Sequence, residues 1–424
     1  MPKWSAGMGR WWVDPMMSAL PALPGEFRDG WKIIVGCSIG IATGVAILFL
    51  TFSIYIVPLT RELQVSRGDL GVVQALIITA AIGSPLIGRL TDVFGVRRVY
   101  VASALAVAAA HLAAGLFATN LVHMGLTIAF VGLVGAGTGT VVLSRPINAH
   151  FKQRRGTALG LMAVGISILA IFAPPLINLV MELWSWRGAF IGMALVSVIC
   201  GIPAVLLLVP DGGRAGSGIG APGASPAPGD RQFLRTRDFW LLALALITMS
   251  LATAGAASQL APMVQDTGLD ATTAALALSF FSAGTFIGRL GGGWLLDRIE
   301  PRLAAFLLTL LPALGFVALL TAGNVTPAIM LAVTIIGIQQ GAEIDIFAYL
   351  VARRFELAQY GAIYGALVGL GWIGNVGGLL GMGKSHDWFG SYAPAQMAAI
   401  GFLAISALLL LAISLPPLQK DQAA

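Results

Sequence analysis

A single arginine stands in a long apolar stretch of this chain. Residues 272–296 read TTAALALSFFSAGTFIGRLGGGWLL, and Arg289 is the only charged residue among them. If the stretch crosses a bilayer as a helix, Arg289 lies about 12 Å from Asp297 along the helix axis, and placing it there costs about 2.5–3.5 kcal/mol. A bound carboxylate would offset much of this cost through two parallel charge-assisted hydrogen bonds, which lysine cannot form. We therefore predict that Arg289 contacts an anionic ligand; the alternative is a permanent structural ion pair.

Two acids are the candidate partners of this arginine. Glu343 and Asp345 stand in GIQQGAEIDIFAYLVARR, ten and eight residues before Arg353, which places them at a depth similar to that of Arg289. Residues two apart on a helix are separated by about 200° of rotation, so both acids cannot face one cavity. One is expected to pair with Arg289 or to carry a coupling proton, because burial favours the neutral form of a carboxyl group. The other is expected to brace a gate, and the sequence leaves open which acid does which.

One further cation and four uncharged polar residues are candidates for the same site. Arg145 is either a second anion contact or an interfacial residue that reaches the lipid headgroups. Apolar walls with a few polar groups suit a small organic anion. The uncharged candidates for such walls, each of which could instead serve ordinary helix packing, are Tyr55, Tyr349, Tyr364 and Asn375.

The residue types that enzymes and metal sites need are scarce. The chain has four histidines and two cysteines, and they are scattered rather than clustered, so no nucleophile or metal site is suggested. We therefore predict a protein that is not an enzyme and that uses no cofactor and no metal.

The composition is that of a membrane protein. Hydrophobic residues make up 57% of the chain and charged residues 10%, and the mean hydropathy is +0.87, whereas soluble domains contain about 25% charged residues. Twelve apolar segments are long enough to cross roughly 30 Å of hydrocarbon, where only helices satisfy the backbone in this pattern. The predicted spans, one to twelve, are residues 31–59, 69–90, 99–119, 124–143, 156–180, 189–209, 239–264, 272–296, 303–322, 326–351, 362–382 and 393–415.

The positive charges predict the orientation of these spans. Of the 25 lysines and arginines, nineteen fall in segments that are inside if both termini are cytoplasmic, and four fall in outside segments. This bias places both termini in the cytoplasm, and it accounts for the net charge of +6 without a nucleic-acid partner. Arginine outnumbers lysine and the helices are rich in glycine and alanine, which favours a bacterial inner-membrane protein.

The chain is predicted to consist of two related halves. Part of residues 210–238 is rich in Gly, Pro, Ala and Ser, which is typical of a flexible linker, here cytoplasmic. We predict an N-terminal tail (1–30), six-helix bundles at 31–209 and 239–415, and a C-terminal tail (416–424). Parallel repeats of this kind bind their ligand between the halves. The landmarks that recur at one offset of 205 positions are Asp92 and Asp297, Gly156 and Gly361, and Gly160 and Gly365.

The end of span two resembles the loop motif of the major facilitator superfamily, G-x-x-x-D-x-x-G-x-[RK]-[RK]. The resemblance implies an all-α membrane fold with twelve transmembrane helices in two pseudo-symmetric six-helix bundles, and a cytoplasmic gate formed by the motif. Asp92 is expected to cap the next helix or to pair with Arg97 or Arg98; the alternative is a plain topogenic basic loop. The first copy consists of Gly88, Asp92, Gly95, Arg97 and Arg98, and the degenerate second copy of Gly293, Asp297 and Arg298.

A narrower resemblance is to the monocarboxylate transporter and oxalate/formate antiporter group. It is carried by RDGWKII (28–34), HFKQRRGTALGLMAVG (150–165) and GRLGGGWLLD (288–297), where the arginine eight residues before the loop aspartate is Arg289. The resemblance implies that Arg289 binds the substrate carboxylate. In animal members, an aspartate one turn before this arginine and a lysine in span one are linked to proton coupling. Here the first position is Thr285, and span one is uncharged from Gly36 to Leu59.

These features predict a secondary active transporter of small organic anions, mono- or dicarboxylates, that works by alternating access. It would be driven by protons or by exchange for a counter-anion, and it would act as a monomer in the lipid bilayer. The alternative is an exporter of apolar or cationic compounds. That class needs no cation in its cavity, so the buried Arg289 argues against it.

Overall fold

In the computed structural model, the described residues are 25–151, 155–210, 232–355 and 360–415. The predicted tails at 1–24 and 416–424 and the linker residues 211–231 lie outside this range. Within it the secondary structure is helical and contains no strand. This is expected of spans in lipid, where each backbone amide needs a partner in its own segment.

The amino-terminal half contains spans in which two helices meet at a break. The breaks of spans one and four lie side by side, because the amide of Val45 donates to the hydroxyl of Thr138 at 3.0 Å. This bond replaces the helical bond that the break removes. Span one comprises Gly25–Ala42 and Val45–Leu63; span two Arg67–Ala75, a 3₁₀ turn Leu76–Thr79 and Ala80–Phe94; span three Val96–Phe117; and span four Leu121–Gly135, a 3₁₀ turn Ala136–Thr138 and Thr140–His150.

Spans five and six form one long apolar segment. Residues Ala158–Leu208 comprise 51 residues, more than twice the length that crosses a bilayer at about 1.5 Å per residue. The segment is divided at Ser185, whose backbone leaves the helical region at φ 75° and ψ 172°. With this division, the eleven apolar helical segments found among the described residues form the twelve predicted spans. The helices are Arg155–Val196, a π-helical turn Ser197–Gly201 and Ile202–Leu208.

The carboxyl-terminal half contains six longer helices that begin with recognisable signals. Asp270 caps span eight by accepting a hydrogen bond from the amide of Thr273 at 2.8 Å, and span nine begins with Pro301, whose missing N–H costs nothing at that position. Spans seven to twelve are Arg237–Gln265, Ala271–Arg298, Pro301–Thr321, Thr326–Arg354, Tyr360–Phe389 and Ala393–Leu411.

Glycines bring spans eight and ten into backbone contact. A Cβ atom at Gly288 would overlap the carbonyl oxygen of Ile338, and one at Gly341 would lie 2.9 Å from the amide nitrogen of Arg289. Spans seven and eleven meet in the same way, since a Cβ at Gly378 would lie 3.0 Å from the amide nitrogen of Gly255. Small residues are what allow membrane helices to pack this closely, and the two close pairs hold the polar side chains of this half in place.

The close contact predicts that Gly288→Ala destabilises the protein. The added methyl group meets backbone that cannot rotate away, and such overpacking costs about 1–3 kcal/mol. We expect a lower melting temperature in detergent, measured by tryptophan fluorescence. Gly291→Ala on the same helix is the matched control, because a Cβ there meets nothing within 4 Å. Equal losses in both variants would contradict this account of the packing.

Candidate functional site

A cavity of about 690 Å³ lies between the two halves of the chain. Its walls include Phe49 and Gln74 from spans one and two, and Phe281, Phe347 and Trp372 from the other half. It is therefore a mainly apolar chamber whose walls combine aliphatic and aromatic side chains with polar groups, the composition that ligand sites share. A second cavity, of about 780 Å³, lies within the amino-terminal half and is lined by residues of spans one, five and six. Its described lining contains no charged residue, so it offers no comparable chemistry.

Arg289 lines the cavity and has an exposed side chain. Among the described residues, no hydrogen bond or ion pair to its guanidinium is present. Asp345 lies close enough to interact with its charge but does not bond to it. Five N–H donors are thus available in the cavity, beside an acid that partly balances the positive charge.

The structure distinguishes the two acids that the sequence left equivalent. Glu343 lines the cavity, and Asp345 is not part of the described lining. The carboxylate of Glu343 accepts hydrogen bonds from Ser250 Oγ at 3.1 Å and from Gln340 Nε2 at 3.2 Å. Both donors are neutral, and none of the ion pairs between described residues includes Glu343.

Two of the predicted uncharged residues also line the cavity. Tyr364 and Asn375 lie on span eleven, opposite the close pair of spans eight and ten. The Asn375 amide donates to the carbonyl oxygen of Gly371 at 3.3 Å, which leaves its own carbonyl oxygen available. The structure therefore brings together Arg289, Glu343, Tyr364 and Asn375.

The structure does not place Tyr55, Tyr349 or Arg145 in the described lining of this cavity. Tyr55 is fully buried in the amino-terminal half, where its ring packs against Phe190 with centroids 4.8 Å apart. Tyr349 accepts a hydrogen bond from Arg353 at 3.4 Å. Tyr55 is thus engaged in helix packing, one of the two alternatives that the sequence left open. The roles predicted for Tyr349 and Arg145 at a ligand stay predictions.

The loop motif of span two forms a contact other than the predicted one. Asp92 pairs with Arg145, which also donates to the carbonyl oxygen of Gly88 at 3.0 Å. Arg97 instead donates to the carbonyl oxygen of Val209 at 2.7 Å, so the expected pair of Asp92 with Arg97 or Arg98 is not formed. Gly95 has φ 83°, a conformation that favours glycine and turns the chain between spans two and three.

The second copy of the motif is described only in part. Arg298 lies over the ring of Trp294, 4.7 Å from its centroid, and the side chain of Asp297 lies outside the described part of the chain. The nearby ion pair of Arg354 with Asp238 joins two spans of the carboxyl-terminal half. Between described residues, the polar contacts at this end thus stay within one half.

At the opposite end, charged groups join the two halves. Arg67 donates to both carboxylate oxygens of Asp266 at 2.6 and 2.7 Å and to Tyr392 Oη at 3.0 Å. Lys384 lies 3.3 Å from Asp69. We name Arg67, Asp266, Tyr392, Lys384 and Asp69 the latch. No role for these residues was predicted from the sequence, although acidic and basic residues both occur in the loops that form the latch.

The latch defines the conformation. The halves are bonded to each other at the latch end, whereas contacts between described residues at the Asp92 end stay within one half. The cavity with Arg289 therefore lies between an end closed by the latch and an end at which no polar contact between described residues joins the halves. This is the geometry of one access state of a two-half membrane protein.

The sequence matches the pattern of the Major Facilitator Superfamily over residues 37–374. The chain is 26% identical to monocarboxylate transporter 13 of Bos taurus over 397 residues, which is 91% of this chain and 89% of the relative. It is 28% identical to the probable nitrate/nitrite transporter NarK2 of Mycobacterium tuberculosis over 345 residues, 77% of this chain and 82% of that protein.

Solved structures show the same fold. The nucleoside transporter NupG matches with a TM-score of 0.75 at 13% identity, over 91% of this chain and 99% of that one. A bacterial homologue of the human lysosomal transporter Spinster, in an inward-facing and unoccupied conformation, matches with a TM-score of 0.69 at 16% identity, over 92% of this chain and 97% of that one.

The latch predicts that Arg67→Gln opens the closed end. The substitution removes the charge of Arg67 and its paired hydrogen bonds to Asp266. A loss of about 1.5 kcal/mol, the contribution of a single charged hydrogen bond, already shifts a two-state equilibrium about tenfold. A cysteine introduced at Ala257, which lines the cavity, should then react about tenfold faster with an impermeant thiol reagent added from the latch side.

The matched control is Arg187→Gln. It removes the ion pair of Arg187 with Glu62, 2.7 Å long, at the same end of the molecule but within one half. The labelling rate should stay at that of the parent. If both variants label alike, the latch does not hold the halves together.

Proposed function

The chain belongs to the Major Facilitator Superfamily, and we propose that it is a secondary active transporter of small organic anions, mono- or dicarboxylates. The family and the relatives are transporters rather than enzymes, and they imply a small-molecule substrate. The finer assignment rests on one observation: Arg289 projects into the cavity between the halves without a bonded partner among the described residues. A carboxylate is the ligand whose two oxygens match the guanidinium fork.

The names of two relatives support this choice. One is called a monocarboxylate transporter and the other a probable nitrate/nitrite transporter, and both names refer to anions. We extend this to the present chain only as far as the charge of the substrate. The aromatic walls of the cavity then supply apolar contact for its carbon skeleton.

Transport would proceed by alternating access around Arg289. In the proposed orientation, both termini are in the cytoplasm of a bacterial cell and the Asp92 end faces inward. The structure would then be closed to the outside by the latch. Transport would be driven by protons or by exchange for a second anion, and the protein would act as a monomer. Asp345 would balance Arg289 while the cavity is empty.

The second candidate function is export of apolar or cationic compounds. The observation that favours it is the cavity-facing carboxylate of Glu343, which could bind a cation. A cavity arginine disfavours such a substrate through like-charge repulsion. The two functions therefore differ in the charge of the ligand that stabilises the protein.

The proposal predicts that Arg289→Gln removes carboxylate binding. Losing a charge-assisted pair of hydrogen bonds should weaken the affinity for the carboxylate by about tenfold or more. Arg289→Lys should also weaken it, because an ammonium group cannot form two parallel hydrogen bonds to one carboxylate. The measurement is the thermal shift of the purified protein with lactate, oxalate, formate and benzoate, and with amines for comparison.

Arg61→Gln is the control, since Arg61 is exposed and lies outside the described cavity lining. It should respond to the acids like the wild type. Stabilisation by amines, with Arg289→Gln behaving like the wild type, would make the arginine structural and favour the exporter.

A further inference from the structure

The cavity contains a carboxyl group that forms no ion pair with any described cation. Glu343 is the only acid in the described cavity lining, and Ser250 and Gln340, which donate hydrogen bonds to it, are neutral. The other charged or titratable groups of the described lining are Arg289 on span eight and Tyr364 on span eleven. Arg289 forms no ion pair with Glu343, and Asp345 on the same span as Glu343 lies outside this lining.

An ionised carboxylate in this position is costly. The cavity that it lines also has Leu246, Phe281 and Phe347 in its walls, and a charge in an apolar site is either paired with an opposite charge or neutralised. Since no described cation is paired with Glu343, binding a proton is the route that the protein itself offers. Asp345 differs, because the charge of Arg289 acts on it.

We infer that Glu343 binds the proton that travels with the substrate. The transport consequence rests on the proposed function, while the proton site itself does not. A proton from one aqueous phase adds to a carboxylate oxygen of Glu343, the substrate anion binds at Arg289, and both leave on the other side. For a monocarboxylate, the sum of charges in the cavity is then the same with and without the substrate and its proton, whereas a dicarboxylate adds one negative charge. No covalent bond of the substrate changes.

The hydrogen bond from Ser250 to Glu343 connects the protonation of Glu343 with the packing of spans seven and ten. Ser250 belongs to span seven, which packs against span eleven, and Glu343 belongs to span ten, which packs against span eight. Their 3.1 Å hydrogen bond joins the two close pairs. Protonation removes the charge that strengthens this bond, so it loosens the connection between pairs that line the cavity.

The position of Glu343 on span ten also accounts for the absence, in this chain, of the coupling residues of the carriers that it resembles. The position one turn before Arg289 is Thr285, and span one has no charged residue from Gly36 to Leu59. An acid for coupling must therefore come from another helix. Span ten supplies it, across the backbone contact of Gly341 with Arg289.

The first test needs no substrate. Infrared difference spectra of the membrane-reconstituted protein, recorded between acidic and neutral pH, should contain a protonated-carboxyl band that is lost in Glu343→Gln. Glu300→Gln is the matched control, because Glu300 is an exposed acid in the loop before span nine. A band that persists in Glu343→Gln, or no band in the wild type, would overturn the proton site.

The second test uses proteoliposomes and the radiolabelled form of whichever acid among lactate, oxalate, formate and benzoate gives the largest thermal shift. Glu343→Gln should bind this acid and exchange internal for external acid like the wild type, but a pH gradient should no longer drive its accumulation. Glu300→Gln should still accumulate it.

The outcomes separate the two proposals. If no acid binds, the proposed function fails, while the infrared result still decides the proton site. If Glu343→Gln accumulates the acid like the wild type, Glu343 is not the coupling group. If Glu343→Gln loses binding itself, Glu343 contacts the substrate, and the inference is wrong although the anion transporter stands.

Discussion

The cost of holding a guanidinium inside a membrane span governs the arrangement of this protein. Arg289 has no bonded partner among the described residues, so its charge must be met by a ligand, by water in the cavity or by the nearby Asp345. A ligand or water requires an open chamber next to the arginine, whereas Asp345 lies outside the described lining of that chamber. The chamber between the halves, its few polar groups and the acid of span ten are arranged around this single requirement.

Backbone contact makes the arrangement rigid. Glycines let spans eight and ten touch at the level of Arg289 and Glu343, so the two groups keep their spacing whichever way the halves tilt. Spans seven and eleven form a second such pair, which carries Ser250, Tyr364 and Asn375. We therefore expect the helices to move mainly at the contacts between the two pairs and between the two halves. The hydrogen bonds at these contacts are polar and can be replaced by hydrogen bonds to water.

The sequence predicted the fold and part of the site, for reasons that differ between residues. Hydropathy locates helices and their depth, so Arg289, Glu343, Tyr364 and Asn375 were placed at the level of the cavity. Depth does not determine rotation, and Tyr55 accordingly projects into the core of its own half. The latch was missed because Arg67 and Asp266 are 199 residues apart and meet only through packing of the two halves. Asp92 and Arg145 lie within one half, 53 residues apart, and they too meet only through the packing of two different spans.

The break at Ser185 bears on how spans five and six can move. Trp184 and Trp186 flank the single residue whose backbone leaves the helical region, and the indole of Trp186 donates to Glu62 of span one at 2.6 Å. A junction with one non-helical residue has little slack, so a displacement of the end of span five is passed to the adjoining end of span six. The indole bond extends this connection to span one, which makes the turn a mechanical joint between three spans of the amino-terminal half.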